Sequence, residues 1–196
     1  MNICLRLMEP QAAWSDEALM ERVAAGGDRK AFELLYHRHA RRLMGFFLHM
    51  LGPDAGMSAE DCVQEMFLRV YRERASYRIG GPFATWLYTM AYNLCKNEFR
   101  HRAVVNAYRE DCRTDGNGEA VYQEAGRGYD EAAFGCRLQQ CLDALPPEQR
   151  AAFLLRYRGE MPVAEIARIQ ACPEGTVKSR LHAAVNYLSD KLKAYK

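Results

Sequence analysis

The sequence predicts an all-α protein made of two small helical domains joined by a flexible linker, the second being a helix-turn-helix. Apolar residues recur at helical spacing through most of the 196 residues, without the sustained alternation of a half-exposed strand. Acidic and glycine residues concentrate at 104–131, and acids outnumber bases there. Near the carboxyl end, two amphipathic segments are separated only by Ala171-Cys172-Pro173. We therefore predict a first domain at 15–103, a linker at 104–131 and a second domain at 132–194.

The composition is that of an ordinary globular protein. Hydrophobic residues make up 49% of the chain and charged residues 27%, and charges interrupt every apolar run before it could cross a membrane. The amino-terminal residues lack the apolar core of a signal peptide, and the seven cysteines include no CxxC pair. Glu98 and His101 form a single ExxH motif, which is too little for a di-iron bundle. We expect a cytoplasmic protein with reduced thiols, no metal and no cofactor.

Helix-capping residues mark the elements of the first domain. The predicted caps and ends are Ser15 and Gly26-Gly27 for one helix, Asp28 and Gly52-Pro53 for a longer one, and the capping box of Ser58 with Asp61 for a third. The third helix carries a ridge opposite its apolar stripe, formed by Asp61, Gln64, Glu65, Arg69 and Arg72. Taken alone, this ridge is best explained as a solvated face with i,i+4 ion pairs.

The segment at 83–102 is predicted to be a helix with three stripes instead of the usual two. Its aliphatic face comprises Phe83, Leu87, Met90, Ala91 and Leu94, and its aromatic face Tyr88, Tyr92, Cys95 and Phe99. A polar lane lies between them, made of Thr85, Thr89, Asn93, Lys96 and Arg100, with Trp86 and Asn97 at its edge. Two apolar faces predict neighbouring helices on two sides. The polar lane suits a nucleic-acid strand or a wet surface equally well.

The second domain combines a basic charge with the helix-turn-helix pattern. The net charge of the chain is only +2, but from residue 146 onward nine basic side chains face five acidic ones. The amino-terminal half of the last helix, where major-groove readers place their base contacts, carries Thr176, Lys178, Ser179, Arg180 and His182. The alternative is a helical hairpin with solvated charges.

These segments, in this order, resemble the extracytoplasmic-function (ECF) sigma factors, a branch of the sigma-70 family of bacterial transcription initiation factors. The resemblance is carried by AFELLYHRH, AEDCVQEMFLRVYR, FATWLYTMAYNLCKNEFR, LDALPPEQRAAFLLRY and CPEGTVKSRLHAA. It implies a non-enzymatic protein that binds core RNA polymerase, recognises the −10 and −35 promoter elements and helps melt DNA. It also implies an anti-sigma factor as a partner, commonly membrane-associated, and no stable homo-oligomer.

The resemblance further implies roles for individual residues. The residues that bind the polymerase beta-prime clamp helices would be Asp61, Gln64, Glu65 and Arg69, which reverses the interpretation of the ridge as a solvated face. The second domain would also meet the beta flap. The −10 contacts would be Tyr77, Trp86, Asn93, Asn97 and Arg100, with Asn93 lining a pocket for a flipped base. The −35 contacts would be Lys178, Ser179 and His182 to bases, and Thr176 and Arg180 to the backbone.

The chain also departs from the family pattern. Ala183, Ala184 and Val185 stand where family members usually carry arginines, and Met161-Pro162 replaces the usual Ser-Tyr. Each lost phosphate contact should lower the salt slope of DNA binding by about one unit. Two alternatives remain open: a sigma-like decoy that occupies a regulator without binding DNA, and a helix-turn-helix repressor, which would explain only the carboxyl-terminal part.

Overall fold

The computed structural model describes residues 14–52, 57–111 and 129–193. Within these ranges the chain forms helices and no strand, and the all-α prediction is confirmed. The helices are α1 (Asp16–Gly26), α2 (Arg29–Leu51), α3 (Ala59–Arg72), α4 (Phe83–Asp111), α5 (Tyr129–Asp143), α6 (Pro147–Tyr157), α7 (Val163–Gln170) and α8 (Glu174–Lys191), with a short 3-10 turn at Arg74–Ser76.

The predicted caps of the first three helices are confirmed. Ser15 accepts a hydrogen bond from the amide of Ala18, and Asp28 accepts from the first amides of α2. Ser58 and Asp61 form the reciprocal capping box at the start of α3. Gly27 ends α1 in the left-handed region at φ 67°, which a residue with a Cβ adopts only at a cost. Local sequence thus determines where these helices begin and end.

Helix α1 links the middle of α2 to the amino-terminal end of α4. Glu17 accepts a hydrogen bond from the amide of Phe83, at 3.2 Å, and so caps α4. Asp16 lies 2.6 Å from both Arg38 Nη1 and His39 Nε2. The hydrogen bond to His39, with further bonds from Arg38, lowers the pKa of Asp16 although its burial acts to raise it. The start of α4 is therefore held in place by charged groups.

Two predicted boundaries differ from the observed helix ends. Helix α4 continues past position 103 to Asp111, and α5 begins at Tyr129 instead of 132. The sequence at 103–111, AVVNAYRED, contains alanine, arginine and glutamate, which favour helix, and nothing that breaks one. Most of the remaining predicted linker lies outside the described residues, and the division into two domains stays a prediction.

Both halves of the chain contribute to one hydrophobic core. The buried cluster runs from Phe47 and Phe83 in the first half to Leu142 and Leu154 in the second. Helix α4 is contacted by α1, α2 and α3 and, from the second half, by α7. Helices α5 and α6 pack against α2. The prediction that α4 has neighbours on both apolar faces agrees with this arrangement, but the pairing of α4 with α7 was not predicted.

Candidate nucleic-acid interface

The carboxyl-terminal part of the polar lane on α4 faces solvent. Asn93, Asn97 and Arg100 are exposed, and the Arg100 guanidinium lies 3.4 Å from the amide oxygen of Asn97. Lys96 is exposed beside them, and Trp86 is half-buried one turn from the start of the helix. The structure therefore brings amides, cations and an indole onto one helix, as the sequence predicted. Such groups can hydrogen-bond base edges, neutralise phosphate and stack on a base.

The amino-terminal part of the lane is covered, contrary to the expectation of a continuous polar surface. Thr85 is only 8% exposed, and its hydroxyl donates a hydrogen bond of 2.9 Å to Glu165 Oε2 of α7. Thr89 donates to the carbonyl of Thr85 at 2.7 Å and is half-buried. The reason is tertiary: α7 packs against α4, so a threonine that is polar in sequence becomes part of a helix–helix contact.

Tyr77 occupies a different position from the one expected of a DNA-contacting residue. Its side chain is buried, and its hydroxyl donates a hydrogen bond to the carbonyl of Gly81 across the loop before α4. Its ring packs edge-on against Trp86 at 5.3 Å and against Phe83 at 6.3 Å. Burial, with nearby carboxylates, raises its pKa to about 12. Tyr77 therefore shapes the loop, and the exposed apolar side chain at the loop tip is Ile79.

The ridge on α3 is exposed, as predicted, and it contains an apolar side chain that the sequence reading missed. Asp61 and Gln64 are exposed, and Glu65 lies 3.9 Å from Arg69. Leu68, 52% exposed, lies on the same face, at the i, i+3, i+4, i+7 spacing from Asp61. That spacing could have revealed it. An apolar side chain inside a mixed-charge ridge suits a protein partner better than water.

The predicted recognition residues on α8 are only partly free. Lys178, Ser179 and His182 are exposed on the amino-terminal half of the helix, and Thr176 is half-buried. Ser179 donates hydrogen bonds of 3.0 and 3.1 Å to carbonyls one turn earlier. No side chain caps the first turn of α8, so its first backbone amides are open to a phosphate, although Glu174 adds a negative charge there. This face carries the kinds of side chain that major-groove readers place at the start of a recognition helix.

Arg180 is turned inward, in contrast to its predicted role at the DNA backbone. Its guanidinium donates to Gln170 Oε1 at 2.7 Å and to Cys172 Sγ at 3.4 Å. Gln170 in turn donates to the carbonyl of Glu148. Arg180 therefore ties α8 to the end of α7 and fixes the angle of the helix-turn-helix. Of the positions that depart from the family pattern, Ala183 and Val185 are exposed and Ala184 is buried.

The described residues contain no other chemical centre. In the described ranges no group of histidine, cysteine and carboxylate side chains could hold a metal ion. Cys62 and Cys95 are free thiols in the core, and burial raises the pKa of Cys62 to about 11. No helix in the described part of the chain is long and apolar enough to cross a bilayer.

The fold and its exposed polar faces define the class of protein: an all-helical protein that carries a helix-turn-helix of the kind found in DNA-binding proteins. Comparison with known proteins identifies the family. The family model for Sigma-70 region 2 matches residues 35–104, and that for Sigma-70, region 4 matches residues 137–188. RNA polymerase sigma factor CarQ of Myxococcus xanthus is 33% identical over 175 residues, which cover 88% of this chain and 95% of that protein. The ECF RNA polymerase sigma-E factor of Escherichia coli is 31% identical over 188 residues, covering 91% and 94%. The chain belongs to the ECF sigma factors of the sigma-70 family.

Solved structures agree on the fold. The sigma factor RpoE from Bartonella quintana, solved with the anti-sigma factor NepR, superimposes with a TM-score of 0.67 at 23% identity. That match covers 84% of this chain and 98% of RpoE. CnrH, solved with the cytosolic domain of CnrY, gives a TM-score of 0.67 at 20% identity, covering 91% and 97%. At these identities the likeness concerns the arrangement of helices only.

Proposed function

We propose that this chain is a non-enzymatic, cytoplasmic transcription initiation factor that binds core RNA polymerase and directs it to a set of promoters. The exposed ridge on α3 docks on the polymerase beta-prime clamp helices through Asp61, Gln64, Glu65 and Arg69, together with Leu68. Helix α4 captures the −10 element as a single strand, and α8 reads the −35 element in duplex form. The second half of the chain also meets the beta flap.

The observation that carries the proposal is the row of Asn93, Asn97 and Arg100 on α4. Most of the first four turns of this helix is buried, yet these three side chains are exposed, and no acidic side chain lies among them. A helix that needed only solubility would not require two amides and a cation at i, i+4 and i+7 beside a tryptophan. A base leaving the duplex stack costs a few kcal/mol, and hydrogen bonds and stacking here offset that cost.

The proposal assigns each residue a role that suits its surroundings. On α4, Trp86, Asn93, Asn97 and Arg100 contact the strand, whereas Tyr77 holds the preceding loop in shape. On α8, Lys178, Ser179 and His182 contact bases, and Thr176 contacts the backbone. Arg180 positions α8 through its bond to Gln170 and joins the backbone contacts only if that bond opens.

An anti-sigma factor is the proposed regulatory partner. One structural neighbour was solved with the anti-sigma factor NepR, and another with the cytosolic domain of CnrY. The surfaces available to a regulator are the ones proposed for polymerase and DNA, so a regulator that covers them would exclude both.

Run-off transcription with core polymerase tests the proposal. The purified chain is added to core enzyme and a library of upstream sequences at low salt, and the transcripts are sequenced. We expect the transcribed templates to share common sequence elements upstream of their start sites. Transcripts no more selective than those of core enzyme alone would refute it.

Matched variants separate the alternatives in the same assay. Arg100→Ala removes a proposed strand contact, and Arg29→Ala removes an exposed arginine at the first residue of α2, where it pairs with Glu33. We expect Arg100→Ala alone to lose transcripts. A decoy would bind its regulator but would yield no transcript, whether as wild type or as either variant. A repressor would bind duplex promoter DNA tightly without polymerase.

A further inference from the structure

A small cationic site lies on the middle of α2, away from every contact proposed above. Gly45 lies inside α2, and a Cβ at that position would come within 2.9 Å of Nη1 of Arg158, the residue that follows α6. The Arg158 guanidinium therefore rests directly on the backbone of α2. Glycine inside a helix is less favourable than alanine, and its presence here suits the close approach of a neighbouring group.

Two arginines converge at this site with little to neutralise them. Arg158 is exposed and forms no hydrogen bond or ion pair with the part of the chain that the structure describes. Burial lowers the pKa of His49, one turn after Gly45, and the charge of Arg158 adds to that effect. One turn before Gly45, Arg42 lies 3.7 Å from Glu160, and both side chains are more than half exposed. Such a long and exposed ion pair contributes little.

A buried hydroxyl without a partner lies beside Arg42. Tyr88 of α4 is only 4% exposed, and its ring packs edge-on against Phe46 of α2 at 5.4 Å. Its hydroxyl forms no hydrogen bond with any described residue, although its oxygen is not sealed from solvent. Burial raises the pKa of Tyr88 to about 12 while the charge of Arg42 acts to lower it. The hydroxyl therefore keeps its proton, and a polar group that is buried without a partner is uncommon.

The chemistry of these groups suits an anion with several oxygens. The guanidinium groups of Arg42 and Arg158 and the protonated hydroxyl of Tyr88 are all hydrogen-bond donors. The planar fork of a guanidinium matches the oxygens of a phosphate group. Because the Tyr88 hydroxyl is recessed among the helices, a small anion can reach it, whereas the backbone of a nucleic acid would meet only the exposed arginines.

We propose that the phosphate group of a small molecule binds between Arg42, Arg158 and the Tyr88 hydroxyl, and that it displaces Glu160 from Arg42. This inference is independent of the proposed function, because none of these residues belongs to the docking ridge, the polar lane or the reading face of α8. A ligand that binds the folded chain and not the unfolded one raises the melting temperature, so binding there would be visible as stabilisation.

Five full-length variants test the site beside the wild type. Arg158→Ala removes one cation, and Tyr88→Phe removes only the unpaired hydroxyl, which should not weaken folding. Gly45→Ala places a Cβ where Arg158 rests, so that the flexible end of that side chain has to move while the helix itself is favoured. Glu160→Gln removes the competing carboxylate. Arg29→Ala, at the first residue of α2, removes an exposed arginine outside the site and is the control.

Isothermal titration calorimetry with inorganic phosphate and with pyrophosphate gives the affinity of each protein. Thermal melts are recorded in parallel, with sodium chloride at matched ionic strength as the reference. We expect Arg158→Ala and Tyr88→Phe each to weaken binding about tenfold relative to Arg29→Ala, since each removes a hydrogen bond to a charged group. Gly45→Ala should weaken binding as well. Glu160→Gln should tighten it by up to about fivefold, because the anion no longer displaces a carboxylate.

Three outcomes would overturn the inference. If neither anion binds or stabilises the chain more than chloride does, there is no such site, and the proposed function is untouched. If phosphate binds but Tyr88→Phe and Gly45→Ala behave like the control, the anion is held elsewhere by charge alone. Fluorescence anisotropy with a labelled DNA duplex supplies the third: if Tyr88→Phe and Gly45→Ala weaken duplex binding and leave phosphate binding unchanged, the site contacts nucleic acid instead of a small ligand.

Discussion

Leu68→Ala tests the proposed polymerase-docking ridge with a matched control in the same chain. Leu68 on α3 is 52% exposed, and Leu48 on α2 is 51% exposed, so the two leucines have equal apolar surface left to bury. Leu48 lies outside the ridge. Each truncation removes the same atoms from a half-buried site, so the cost to folding should be similar for both.

The size of the effect follows from the exposed surface. Complete burial of a leucine side chain contributes about 2 kcal/mol, so covering the remaining half of Leu68 with a partner contributes about 1 kcal/mol. A loss of that size weakens binding about fivefold. Both truncations should lower the melting temperature by about 3 °C, because each loses about 1 kcal/mol of packing in a chain of this size.

Competition binding to core polymerase measures the difference. A labelled wild-type chain is displaced from core enzyme by unlabelled wild type, Leu68→Ala or Leu48→Ala, and the melting temperatures are recorded in parallel. We expect Leu68→Ala alone to compete about fivefold less well. Equal competition by the two variants would refute the assignment of the ridge, whether both match wild type or both are weakened.

Four further outcomes are expected. Asn93→Ala should impair promoter opening, measured by the permanganate reactivity of unpaired thymines, and should leave the affinity for polymerase unchanged. Loss of polymerase binding or of folding would mean that the polar lane of α4 has a structural role. Lys178→Ala should reduce the slope of log K against log salt for duplex binding by about one unit, whereas Lys193→Ala, which removes the partner of Asp190, should not. Arg150→Met should lower the free energy of unfolding in urea by about 2 kcal/mol, because it leaves the carbonyls of Met50 and Asp143 without their donor and breaks the ion pair with the partly exposed Asp143. A loss under about 0.5 kcal/mol would contradict this. Asp16 has a pKa below its ordinary 3.8 when folded, so its contribution to stability is present above that pH and disappears as the pH falls through the folded value. Asp16→Asn should therefore lower the melting temperature at neutral pH, with a difference that shrinks in acid; a constant difference would contradict the assignment.

The elements that depend on local sequence were predictable. Ser15, Asp28 and the Ser58–Asp61 pair cap helices through bonds to amides two or three residues away, so spacing alone reveals them. The apolar stripes of α3 and α4 likewise lie on the buried faces that their periodicity indicates. For the candidate site, the exposure of Asn93 and Lys178 followed from the same periodicity.

The features that depend on tertiary contacts were not predictable in this way. Helical spacing places Thr85 in the polar lane, and the family resemblance assigns Tyr77 to the DNA contacts, yet Thr85 is covered by α7 and the Tyr77 hydroxyl bonds within the loop. Arg180 falls on the exposed side of α8 by spacing, but its long side chain reaches back to Gln170. Thr85 finds its partner 80 residues away, and Tyr77 and Arg180 find theirs outside their own helical element, so periodicity carries no information about these partners.

The bond between the Tyr77 hydroxyl and the Gly81 carbonyl separates the loop before α4 into a frame and a tip. The frame is fixed when the protein folds, so a strand that binds there does not have to order it, which lowers the entropic cost of binding. The tip carries Ile79, 69% exposed, and Gly80 at φ 80°, in a turn closed by the bond from the Gly81 amide to the Arg78 carbonyl. Under the proposed role of this loop, we expect substitutions at the exposed Ile79 to change strand binding with little loss of stability.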